Sequence, residues 1–189
     1  TKQPPKQVTL FENPYKSLAG VSKKMINYKR EDGVDLKGTL YLPAGYDPNR
    51  DGRLPMLMEA YPVEYKDKAA AGQVDDSPHR FAFLYWGSPV FWVARGYAVL
   101  ENAAFPVVGQ GKEEPNDTYV EQLVMDGKAA IDAVDKMGVV DPKRVGVMGH
   151  SYGAFMVANL LAQCDLFAAG IARSGAYNRS LTPFGFQAE

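Results

Sequence analysis

The chain has 189 residues, 46% of them hydrophobic and 23% charged, which is enough apolar material for one ordinary core and too much for disorder. Its 21 lysines and arginines against 22 aspartates and glutamates leave a net charge of -1, excluding capture of nucleic acid or anionic membrane by bulk electrostatics. The single cysteine, Cys164, excludes an internal disulfide and a cysteine-based zinc cage, and no apolar run reaches the ~18 residues of a membrane span.

Residues 1–22 are polar and carry Pro4, Pro5 and Pro14, with Val8, Leu10 and Phe11 as isolated apolar points. They read as a linker or a lone strand belonging to a preceding unit. Met25–Arg30 and Leu36–Leu42, separated by Glu31-Asp32-Gly33, predict a hairpin. Pro43 to Arg53 predict a loop, and Leu54–Ala60 a short buried strand. Ser88 followed by Pro89 predicts a helix start, with the helix running to Gly96 and a strand over Tyr97–Leu100. Asn102 to Asn116 read as a long Gly/Pro loop. Thr118 and Glu121 have the spacing of a capping box ahead of Val120, Leu123, Val124, Ile131 and Val134, which recur at helical spacing up to Gly138. Arg144–Met148 then predict a buried strand, Phe155–Ala162 a helix and Phe167–Ala172 a last strand. A hairpin followed by alternating strands and helices predicts an α/β fold, a mostly parallel sheet with helices on both faces.

Gly149-His150-Ser151-Tyr152-Gly153 is a G-x-S-x-G sequence between a buried strand and an apolar helix. That context is what a nucleophile elbow needs. Little side chain is tolerated two residues either side of the serine, and the turn lifts Oγ above the sheet edge. The helix N-terminus would set the Tyr152 N–H where an oxyanion forms. An acyl-transfer serine also needs a base and an acid, in α/β-hydrolases in the order Ser, acid, His. No histidine follows Ser151. His150 reads as a packing residue beneath the turn and His79 as a loop histidine, so the chain alone is expected to be inert as a hydrolase.

The run Gly149–Met156, with Ala158-Asn159-Leu160-Leu161-Ala162, resembles the serine region of the prolyl oligopeptidase family. Gly170–Arg179 with Leu181–Gln187, Arg95–Leu100 and Asn116–Leu123 are similar to the glutamyl endopeptidase branch of that family. The resemblance implies an α/β-hydrolase fold that is C-terminally incomplete. Residues 1–22 would be the exit of a β-propeller, and 23–189 the N-terminal two-thirds of the catalytic domain. It implies a serine peptidase working through an acyl-enzyme on peptide substrates, with no cofactor and no metal. Tyr61, at a strand's C-terminal end, would match the family's oxyanion tyrosine, whose phenol can donate one hydrogen bond into the cleft. Tyr177, Arg179 and Arg173 would line the pocket for the substrate side chain, the arginines being candidates to read a glutamate. Either arginine could equally pin the loop.

Two other readings stay open. A carboxylesterase or lipase would share the chemistry, although such enzymes usually carry an HGGG-type loop where this chain has Tyr61-Pro62. A non-catalytic hydrolase-fold binding module would fit the missing histidine. In either case Phe167–Ala172 would be an edge strand, apolar on both faces, and self-association through it is expected.

Overall fold

The computed structural model describes residues 6–71, 83–109, 111–112 and 114–177. Six strands form one sheet: β1 (Ser22–Lys29), β2 (Asp35–Leu42), β3 (Leu54–Tyr65), β4 (Ala98–Val108), β5 (Val140–His150) and β6 (Ala169–Arg173), in the order β1-β2-β4-β3-β5-β6. The hairpin β1–β2 and the β2–β4 pair are antiparallel, and β4–β3, β3–β5 and β5–β6 are parallel. Four α-helices accompany them: α1 (Pro48–Asp51), α2 (Lys68–Ala71), α3 (Tyr119–Lys136) and α4 (Tyr152–Gln163). No helix among the described residues is long and apolar enough to cross a membrane.

Strand alternation sorts the core into two faces. Leu40, Met58, Leu100 and Val147 meet Leu123 and Val134 of α3 and Met156 and Leu160 of α4 on one face. Tyr41 and Val99, each one residue out of phase, meet Val90 and Val93 on the other. The segment covering that second face, Pro89–Arg95, is a 3-10 helix and not the α-helix its Ser-Pro start predicts. The β-branched Val90 and Val93 and the aromatic Phe91 and Trp92 lose side-chain freedom in an α-helix, which favours the local 3-10 turn here. Gly96, at φ 81°, ends it, as the sequence predicts.

β3 and β4 are longer than the sequence suggests. β4 continues through Asn102 and Pro106 to Val108, a stretch that reads as loop, and β3 continues through Pro62 to Tyr65. The two extensions pair with each other, Ala60–Tyr65 against Ala103–Val108, after a register shift opposite Asn102, whose φ is 51°. β3 pairs with β5 only as far as Glu59↔Met148, so beyond that point it has one neighbour among the described residues. The Tyr65 carbonyl accepts from the Gly109 N–H. By alternation Pro62 therefore faces away from β4, and its missing N–H leaves no gap in that ladder.

The start of α3 also differs. Thr118 makes no capping bond, and the capping box is instead Glu114 with Asp117 in the preceding 3-10 turn, Pro115–Thr118. Pro43–Arg53 contains the one-turn α1, begun by the Asp47 side chain accepting from the Asn49 N–H.

A buried polar network ties the hairpin to α3 and to the end of β4. Arg30, 2% exposed, donates to Asp126 Oδ1 at 3.0 Å, to the Pro106 carbonyl at 2.9 Å and to Gln122 Oε1 at 3.1 Å. Its Nε donates to Asp32 Oδ1 at 2.8 Å, and Nη2, which also serves Gln122, donates to Asp32 Oδ2 at 3.0 Å. Gln122 also accepts from the Val108 N–H and donates to the Val108 carbonyl. Burial pushes the Asp126 carboxyl well above the usual carboxylate range, and Arg30 offsets part of that shift. The hydrogen bond from Arg30 holds the Asp32 carboxyl well below that range, against its partial burial, with Lys68 adding to the effect.

Arg30→Met is expected to cost about 3–5 kcal/mol in urea unfolding, because it leaves the buried Asp126 carboxyl and the Pro106 carbonyl without their donor. Arg30→Met/Asp126→Leu should recover part of that loss. The Asp32 contribution is present above its unfolded pKa, about 4, and is lost as pH falls through its depressed folded value. Wild type should therefore lose its advantage over Arg30→Met in acid. An Arg30→Met cost below about 1 kcal/mol would remove the network from the stability argument.

Candidate active site

Ser151 occupies the turn between β5 and α4. Its φ of 55° and ψ of -115° lie in a region that costs a non-glycine residue about 1–3 kcal/mol. The turn around it is clasped from both sides. The Ser151 N–H donates to the Arg173 carbonyl at 2.9 Å, and the Ser151 carbonyl accepts from the Ala154 and Phe155 N–H groups at 3.0 and 3.2 Å. A Cβ on Gly149 would lie 2.4 Å from the Gly153 carbonyl carbon and oxygen. A Cβ on Gly153 would lie 2.7 Å from the Ala60 carbonyl oxygen. Backbone cannot yield as a flexible side chain can, so the two glycines are sterically required. The Tyr152 N–H follows directly, among the first donors of α4 that lack intrahelical acceptors.

Ser151 opens into a cleft of about 830 Å³. β5 lies between β3 and β6, which gives the cleft two walls. Tyr61, Pro62, Val63 and Glu64 form the β3 side, and Ser174 and Ala176 the β6 side. Asn116, Tyr119, Tyr152 and Phe155 complete the lining. Tyr61 is 49% exposed, and its ring meets the Tyr152 ring edge-on at 6.2 Å. The Tyr152 ring stacks on Tyr119 at 5.6 Å and on Phe155 at 6.1 Å. Its hydroxyl donates to Glu64 Oε1 at 2.9 Å, and Asn116 Oδ1 lies 3.3 Å from the same oxygen. Burial, followed by Tyr119 and Glu64, pushes the Tyr152 phenol far above its usual pKa, so it stays a donor at any working pH.

Of the residues singled out by sequence, Ser151, Tyr61 and Tyr152 come together in this cleft. Arg173 is not brought to the cleft lining. Its guanidinium lies 5.1 Å over the Trp86 ring and donates to the Gly87 carbonyl at 3.4 Å. Its contribution to the site is therefore the carbonyl that takes the Ser151 N–H, which agrees with a loop-pinning arginine rather than a pocket one. Tyr177 is 52% exposed, with its hydroxyl 3.5 Å from the Ala172 carbonyl, next to the wall residue Ala176. Arg179 and His79 lie outside the described residues. His150 is exposed and is not packed beneath the turn, because β5 ends at this residue. Sequence reasoning missed Glu64, Asn116, Tyr119 and Phe155 as lining residues. Tyr152 and Phe155, three apart on one helical face, were the available signal.

Residues 111–183 match the prolyl oligopeptidase family. The chain is 56% identical over 184 residues to a probable chloroplastic glutamyl endopeptidase of Oryza sativa subsp. japonica, covering 97% of this chain and 20% of that protein. The chain thus spans about a fifth of the length of the curated relatives it matches. Among solved structures, Porphyromonas gingivalis dipeptidyl peptidase 4 superposes with a TM-score of 0.56 at 26% identity, over 79% of this chain and 20% of that one. The acetyl xylan esterase of Paenibacillus sp. R4 superposes at 0.62 with 18% identity, over 95% of this chain and 56% of that one, a likeness of fold alone. These neighbours and the sheet order make the fold an α/β-hydrolase fold.

Gly149→Ala should lower stability by about 1–3 kcal/mol or more, since its Cβ cannot be placed without moving α4. Thermal unfolding reads this directly. An unchanged midpoint would mean that the turn has slack the geometry denies.

Proposed function

The chain belongs to the prolyl oligopeptidase family, and from that premise we propose that Ser151 is the nucleophile of a serine peptidase acting through an acyl-enzyme. The observation that carries the reading is the strained, doubly clasped turn that presents Ser151 to a cleft at a helix N-terminus. Residues 1–22 are read as the exit of a preceding β-propeller and 23–189 as the N-terminal part of the catalytic unit. The general base and the acid that orients it are assigned outside these 189 residues.

In this reading Ser151 Oγ loses its proton to the base as it attacks the scissile carbonyl carbon. The oxyanion that forms takes hydrogen bonds from the Tyr152 N–H and the Tyr61 hydroxyl. Collapse of that intermediate expels the amine, which takes the proton from the base, and water then releases the acyl group. Cleavage after glutamate is supported by the 56% identity to a protein named for it. Arg179, helped by Tyr177, is the proposed partner of that carboxylate.

Substrates are peptides in this reading. Self-association through β6 is also proposed, because β6 pairs only with β5 among the described residues and leaves Ile171 39% exposed. Sedimentation of the chain alone should show dimers or larger species at micromolar concentration, and a monodisperse monomer would overturn that part.

In the whole protein, at the length of its relatives, Ser151→Ala should lower kcat by about 10⁶. Tyr61→Phe should cost about 10²–10³, the scale of one oxyanion donor. More than a tenth of wild-type turnover in Ser151→Ala would end the assignment, and unchanged kcat in Tyr61→Phe would make Tyr61 structural.

A further inference from the structure

Glu64 is the only charged side chain among the described residues that line the cleft. One of its oxygens is taken by the Tyr152 hydroxyl at 2.9 Å, and the residue itself is exposed. Beside it stand three aromatic rings, Tyr119, Tyr152 and Phe155, with centroids 5.6 to 6.1 Å apart. A lone carboxylate next to a stack of aromatic rings is matched to one ligand chemistry. An ammonium or guanidinium can pair with the carboxylate while its stem, or the charge itself, lies against a ring. A carboxylate ligand would meet like charge, and an apolar one would gain nothing from Glu64.

We infer that Glu64, with the Tyr119–Tyr152–Phe155 stack, selects a cationic group on the peptide substrate, seated on the β3 side of Ser151. This rests on the peptidase reading above and extends it to a second contact. Glu64 and Ser174–Ala176 stand on opposite sides of β5, so an acidic side chain read near Ala176 and a basic one read at Glu64 would lie on opposite sides of the reacting carbonyl. The Tyr152 hydroxyl has a single proton, and its bond to Glu64 fixes the carboxylate's direction before the substrate arrives. That preorganisation is what a recognition group needs.

The test uses the whole protein and peptides identical except for lysine, norleucine or glutamate at each position flanking the scissile bond. Wild type should prefer lysine at one position, by about tenfold or more in kcat/KM over glutamate, with the preference shrinking as salt rises. Glu64→Gln should erase the preference chiefly through KM, and Glu64→Lys should reverse it. Glu64→Gln lowering kcat equally on all three peptides would overturn the inference, because Glu64 would then only brace Tyr152. An absence of lysine preference in wild type would overturn it as well.

Labelling of Ser151 by a fluorophosphonate keeps this apart from the peptidase reading. If the serine is never labelled and no peptide is cut, that reading has failed by itself. Calorimetric binding of the same peptides then decides the inference. Tighter binding of the lysyl peptide that Glu64→Gln abolishes supports it, and equal binding of all three overturns it.

Discussion

The carbonyl of Ala60 governs how close the helix carrying the site can come to the sheet. It sits where a side chain on Gly153 would have to go, 2.7 Å from the position of a Cβ. α4 can therefore press its first turn onto the backbone of β3, and Gly149 must be bare for the same reason on the next strand. This contact makes the turn tight, and the tightness forces Ser151 to a positive φ. The strain is local, and the surroundings over-determine it: β6 holds the amide of Ser151, and α4 holds its carbonyl. Tyr61 and Tyr152 reach the same cleft because Ala60 and Gly153, their immediate neighbours in sequence, touch.

A second constraint acts at a distance. The aromatic stack depends on where α3 begins, since Tyr119 is its first residue. Apolar packing of Tyr119 and Leu123 holds that start against the core, and polar contacts add direction to it. Gln122 bridges both polar groups of Val108, and Arg30 locks Gln122, Asp126 and the Pro106 carbonyl to the hairpin. A buried arginine serving four acceptors is costly to desolvate, yet it positions the end of β4 relative to α3 to within hydrogen-bond tolerance. The hairpin farthest from Ser151 in the strand order thus helps define one side of the cleft.

Much of this was legible from residue order. The hairpin pattern marks β1 and β2, short apolar runs mark β5 and the first halves of β3 and β4, and helical spacing marks α3. Glycines two before and two after a serine, between a strand and a helix, identified the turn without any structure. The extensions of β3 and β4 were not legible, because Pro62, Pro106 and Asn102 are turn residues by local chemistry. Only a partner strand of matching register, and the absence of a second partner, makes them acceptable. The capping box lies elsewhere than the spacing predicts, for a related reason. Thr118 and Glu121 have the right spacing, but Pro115 starts a 3-10 turn first and Glu114 caps that. For Arg173, at the end of β6, sequence leaves a pocket role and a loop-pinning role open, and its guanidinium lies over a Trp86 ring whose nearness no local pattern records.

Pro62 has a consequence for how a peptide can lie in the cleft. Past Glu59 the β3 extension has an open side facing the cavity, and an extended chain could dock there as one more strand. An open strand edge binds almost any peptide backbone, because main-chain donors and acceptors are the same in every sequence. The ring of Pro62 removes the donor facing that side, so a main-chain ladder there would be interrupted at this residue. A chain lying along this side would meet a break in the row of donors, so its hold there would depend on its side chains as well as its backbone.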